Sequence, residues 1–270
     1  MTARITKCWG WGLLALAAAL LAAAVGARAD IIKSSTMGAL GGGGGTLIVQ
    51  DGDAILLCAL LIGTGGTYDT VIVEGGLLSV SGTLELATGG LLDVNGGTLR
   101  AGTFDRQDGT FDFTGGLLQT YRVRGDLISD GGTLRTWTSL GIDTRIEGDL
   151  DVRDGAISLV LVNTYPQGFR QWRWNKVLVA GDVALAGTLD VSMVVTTPSM
   201  IFEGLVFDLM DWGGALTGTF DDVKLPDLPR GLAWNTDDLY TTGELRIVPE
   251  PAAIPLIAAG AAFLLARRRR

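Results

Sequence analysis

The residues best suited to chemistry in this chain lie close together at Asp105, Arg106, Asp108 and Asp112, within TFDRQDGTFDF. Three carboxylates beside a guanidinium could hold a hard cation through oxygen ligands and remove a proton from a sugar ring. The pattern around them argues for a plainer role. Gly102-Thr103-Phe104 and Gly109-Thr110-Phe111 repeat one frame. If the phenylalanines face inward, alternation turns Asp105 and Asp112 outward, onto a solvated face. Trp172 and Trp174, in FRQWRWNK, are the second candidate group. Two apart on a strand, they share a face and either close a core or offer a platform to sugar rings. Arg170 and Arg173 beside them would suit an anionic glycan. Histidine is absent, which excludes Ser-His-Asp and Cys-His nucleophile systems and His-ligated zinc. No catalytic residue, metal set or cofactor is assigned, and weak Ca2+ binding is the most the carboxylates suggest.

Other motifs read as structure. Arg124-Gly125-Asp126 spells an adhesion tripeptide, yet VRGDL recurs as IEGDL at Ile146–Leu150 and VAGDV at Val179–Val183. Only Gly-Asp between apolar residues is shared, which is turn chemistry. Gly41–Gly45 is no phosphate loop, because the chain holds no Gly-Lys pair to bring a cation onto phosphate. Cys58, within AILLCALLIG, is expected to be buried as a small hydrophobe.

Elements able to position these residues are written in a repeat. Gly-Thr-Leu occurs at Gly45, Gly82, Gly97, Gly132 and Gly187, Gly-Leu-Leu at Gly76, Gly90 and Gly116, and Gly-Thr-Phe at Gly102, Gly109 and Gly218. Between the glycines run short stretches such as LLSV, TLEL and LLDV, apolar at every second position. That is the period of a strand with one buried face, with glycine supplying the tight corners. A recurrence of about 14–26 residues predicts an all-β, Gly-rich, β-helix-like solenoid over 30–155, with a β-sandwich as the rival. From about Gly155 the strands are longer and more continuously apolar, which predicts a β-sandwich-like or capping region over 156–247.

Both ends have a different texture. Arg4 and Lys7 precede an apolar stretch from Trp11 to Val25, and Ala27-Arg28-Ala29 gives a small-x-small site. Residues 1–29 therefore read as a signal peptide cut before Asp30, which implies signal peptidase and export machinery as partners. The other end carries Val248, Pro249, Glu250 and Pro251, an apolar span over 252–266, and Arg267, Arg268, Arg269 and Arg270. As a helix the span would measure about 22 Å against a hydrocarbon core of about 30 Å, so it predicts a short transmembrane helix held briefly in the inner membrane. The arginines would stay cytoplasmic and act as a basic stop. Of 21 basic and 29 acidic residues, 14 and 28 remain in residues 30–248. A body with net charge −14 repels phosphate, which excludes nucleic acid as a partner.

This tail resembles the sorting signal of PEP-CTERM proteins. The block before it resembles the membrane-proximal region of members with autotransporter-like β-strand repeats. It shares Gly-Thr-Phe at Gly218, Leu225-Pro226, Gly231–Trp234 and Leu239–Leu245. The resemblance implies recognition of Val248–Pro251 by an exosortase-type enzyme. It also implies a cell-surface or extracellular fate in an exopolysaccharide or biofilm-matrix setting. The expected function is thus a non-enzymatic structural or adhesive role. A lyase-like polysaccharide enzyme at Asp105, Arg106 and Asp108, or a carbohydrate-binding module at Trp172 and Trp174, stand as alternatives.

Overall fold

The computed structural model describes residues 31–33, 45–66, 68–137, 142–163, 172–195 and 200–250. The signal segment with Ala27, Ala29 and Asp30, and Pro251, the 252–266 span and Arg267–Arg270, lie outside the described residues.

The described chain is all-β, and most of its strands pair in parallel. Each circuit of the chain contributes to three ladders in turn. The first ladder holds Thr46–Val49, Thr70–Val73, Leu91–Val94 and Thr110–Phe113. A second four-stranded sheet takes over that part of the circuit with Leu127–Ser129, Leu150–Val152, Val183–Leu185 and Leu216–Gly218. The two are linked at Phe113, whose carbonyl accepts the N–H groups of Asp130 and Gly132. The second ladder runs Ala54–Leu57, then the first halves of Leu77–Leu86, Thr98–Arg106 and Leu117–Arg124, then Thr133–Arg135, Ala156–Asn163, Thr188–Val195 and Asp222–Lys224. The third runs Leu60–Ile62, the second halves of those three long strands, then Thr144–Ile146, Val177–Val179 and Met210–Trp212.

Register shows why the sequence alternates. Ile55, Leu78, Leu99, Leu118, Leu134, Ile157 and Leu189 occupy one position of the second ladder in successive circuits, and all are buried. In the first ladder Val49, Val73, Val94 and Phe113 do the same. In the third, Leu60, Leu84, Phe104, Val123, Ile146 and Val179 do so. Fully burying one such side chain contributes about 1.5–3 kcal/mol.

Early circuits are 16 to 24 residues long, from Leu117↔Thr133 to Thr46↔Thr70. Later ones reach 33 or 34, as in Leu150↔Val183, Val183↔Leu216 and Thr188↔Asp222. Parallel pairing crosses residue 155 without a break, since Thr133–Arg135 pairs with Ala156–Asn163. The added residues leave at one place, the corner between the second and third ladders. There Ala156–Asn163 and Thr188–Val195 pair as far as Asn163↔Val195 before the chain turns to the third ladder. Val206–Asp208, which precedes the last three parallel strands, joins Leu232–Asn235 and Glu244–Pro249, which follow them, in a three-stranded antiparallel sheet with Glu244–Pro249 in the centre. Its Phe207, Leu245 and Ile247 are fully buried, and Leu225, Leu228 and Tyr240 nearby pack against the same core.

Cys58 departs from expectation, being exposed rather than buried. The apolar run around it is two strands rather than one, Ala54–Leu57 and Leu60–Ile62, and Cys58 falls on the corner between them. Inward positions are taken by Ile55, Leu57, Leu60 and Ile62.

Candidate functional site

The carboxylates of the 105–112 segment are spread around the circuit. Asp105 lies outward on the third ladder and pairs with Arg124 one circuit on, at 3.0 Å. Asp108 lies in the next corner, where it accepts a hydrogen bond from the Thr88 hydroxyl at 3.4 Å. Asp112 is exposed on the first ladder, between buried Phe111 and Phe113. Arg106 donates to the carbonyl of Asp126 at 2.9 Å. Among the described residues no three acidic, cysteine or histidine side chains converge as a metal site would need.

Trp172 and Trp174 are half-buried on the shared face that their spacing predicts. Their rings meet Phe207 edge-on, with centroids at 5.2 and 5.4 Å, and Trp234 closes the cluster at 5.8 Å. Each indole N–H is held by a backbone carbonyl, Trp172 by Met200 and Trp174 by Asp208. These contacts are those of a core that joins the inserted segments to the antiparallel sheet. Beside them, burial alone would lower the Lys176 ammonium, but hydrogen bonds to Asp208 and Asp211 outweigh it and hold its pKa above the usual lysine value.

The Gly-Asp recurrences form a ladder of their own. Asp126 Oδ1 accepts the N–H of Asp149 at 2.9 Å, Asp149 Oδ1 that of Asp182 at 2.8 Å, and Asp182 Oδ1 that of Ala215 at 2.7 Å. Each carboxylate thus caps the equivalent residue one circuit on through a charge-assisted bond. Asp149→Ala is expected to destabilise the fold by about 1–2 kcal/mol, since it leaves the Asp182 N–H without its partner. Asp151→Ala, on an outward strand position, is expected to stay within about 0.5 kcal/mol. Urea midpoints of the two variants check this, and equal values would contradict the ladder.

Three residues of the tail motif are described. Val248 and Pro249 continue the central strand of the antiparallel sheet, opposite Ala233 and Leu232. The Glu250 N–H donates to the Gly231 carbonyl at 2.9 Å. Pro249 has no N–H for the ladder, and both it and Glu250 are exposed at the strand end.

A trough that the sequence did not disclose lies at the corner between the second and third ladders. Its volume is about 660 Å3, within the usual range for a small-molecule site. Gly82 and Gly102 form its floor, because the strands approach too closely there for side chains. A Cβ on Gly102 would meet the carbonyl oxygens of Ser81 and Gly82 at 2.6 and 2.7 Å. The register shift between Val80 and Thr83 places Ser81 and Gly82 opposite the single Gly102. One circuit on, Tyr121 takes the same corner and walls the trough, its ring 4.7 Å from that of Trp137. Arg100 lies 6.0 Å over Trp137 and donates to Gln119 at 2.8 Å. Arg122 and Arg145, opposite each other on neighbouring strands, line the trough together with Asp143. Arg122 pairs with Glu147 at 3.4 Å, and Asp143 accepts the Lys176 backbone N–H at 2.8 Å. These residues come from four circuits, so no contiguous motif announces them.

Searches with this chain against protein-family models, curated proteins and solved structures return no match.

Proposed function

We propose that this chain is an exported β-repeat protein with a non-enzymatic, structural or adhesive role at the cell surface or in the extracellular matrix. Its three parallel ladders would wind as a β-solenoid, with the antiparallel sheet and the segments inserted before it acting as a cap. A signal peptide would start export, and the C-terminal span would hold the protein in the inner membrane until an exosortase-type enzyme acts on Val248–Pro251. Exopolysaccharide is the proposed surrounding.

The observation that carries this reading is the order of features over 248–270: Val-Pro-Glu-Pro, an apolar span, then four arginines. The antiparallel sheet adds support, because Glu244–Pro249 ends with Pro249 and Glu250 exposed and Pro251 next in the chain. An extended, proline-bounded segment at a domain edge suits an enzyme that takes its substrate as a strand.

Mass measurement of the C-terminus in inner-membrane and extracellular fractions tests the proposal. The expected species is extracellular and ends between Pro249 and Ala252. An intact Arg270 found only in the inner membrane would overturn the sorting reading and leave a tail-anchored protein.

A further inference from the structure

We propose that the corner trough is a binding subsite for an acidic glycan, taking one hexuronate ring against Tyr121 with its carboxylate between Arg122 and Arg145. The matrix reading above supplies the source of such a ligand, while the chemistry follows from the trough.

The first argument is charge. Arg122 and Arg145 are direct neighbours across a parallel ladder. Adjacent strands lie about 4.8 Å apart, and like charges facing each other at that spacing destabilise a sheet. Glu147 relieves one of them, reaching Arg122 at 3.4 Å and Arg124 at 3.9 Å. Arg145 is exposed and has no ion pair among the described residues. A carboxylate held by both guanidiniums would remove the repulsion and satisfy their forked donors together. The net charge that turns away an extended polyanion weighs less on a single hexuronate ring, because two guanidiniums line the trough against one carboxylate, and charges farther than about 8 Å are largely screened at physiological salt.

The second argument is the rest of the lining. Ser81, Thr83 and Thr103 present hydroxyls, which donate to and accept from ring hydroxyls. Tyr121 offers an aromatic surface held in place by Trp137 behind it. Asp143 gives the trough one carboxylate of its own, which repels a ligand carboxylate on that side and so favours one ring orientation. Gly82 and Gly102 keep the floor open in the folded state, because any side chain there would collide with backbone. The site needs no movement to form, and such pre-organisation lowers the entropic cost of binding.

The test titrates the full-length chain with a short oligouronate and, separately, with its carboxyl-reduced neutral counterpart. The oligouronate is expected to bind at least about tenfold more tightly than the neutral glycan. Arg145→Ala should weaken it by a similar factor and Tyr121→Ala at least as much, whereas Tyr121→Phe, which keeps the ring, should bind within about twofold of the parent. Arg145 is exposed, so its replacement leaves the core intact. Failure of the parent chain to bind the oligouronate, equal binding of the two glycans, or unchanged binding by Arg145→Ala would each overturn the proposal. Titration of purified protein does not depend on tail processing. A missing trough ligand therefore leaves the sorting reading intact, and an unprocessed tail leaves a positive titration intact.

Discussion

Replacing Phe104 by alanine is expected to cost about 3–5 kcal/mol of unfolding free energy. Phe104 is fully buried and sits in the third ladder between Leu84 and Val123 of the neighbouring circuits. Its ring meets that of Phe111 edge-on at 4.7 Å, and Phe111 stacks on Phe113 at 5.6 Å. Phe104 therefore ties the third ladder to the first across the interior. Backbone hydrogen bonds hold both ladders in register, so the walls cannot close on the vacated volume, and the cavity adds to the lost transfer energy. Urea unfolding followed by circular dichroism reads the effect as a lower midpoint. A midpoint shift worth under about 1 kcal/mol would mean that the three ladders do not share one interior.

The second large effect comes from a pair of glycines. Gly97→Ala is expected to cost at least about 3 kcal/mol, whereas Gly65→Ala should cost about 1 kcal/mol. Both have left-handed backbones, with φ of +60° at Gly97 and +82° at Gly65. A side chain is strained by a left-handed backbone at either site. They differ in space. A Cβ on Gly97 would come within 2.8 Å of Gly75 Cα, whereas one on Gly65 meets nothing within 4 Å. The difference between the two variants thus isolates how closely successive circuits stack. Thermal unfolding of both proteins decides it, and equal losses would show that conformational strain alone sets the requirement for glycine.

Much of the β architecture was legible because the period-two pattern survives wherever one face is buried. LLDV and TFDF place Leu92, Val94, Phe111 and Phe113 inward and Asp93 and Asp112 outward, as alternation demands. The corner at Cys58 is not legible because AILLCALLIG is apolar on both sides of it, so hydropathy gives no sign of where one strand stops. The longer circuits were half visible. The interval from Asp149 to Asp182 repeats from Asp182 to Ala215, but aspartate after glycine reads first as a local turn, and its partner lies a whole circuit away. The trough was not legible at all. Unequal circuits bring Gly82, Gly102, Tyr121 and Arg145 to one corner, and no fixed spacing in the chain encodes that meeting.

The central position of Glu244–Pro249 has a mechanical consequence. Tension entering through Glu250 passes first into a strand flanked on both sides, by Val206–Asp208 and by Leu232–Asn235. Two rows of hydrogen bonds share that load along their length, and Phe207, Leu245 and Ile247 anchor the sheet beneath them. A pull on this end therefore has to break the pairing of Glu244–Pro249 with its two neighbours before this end of the chain can be drawn out.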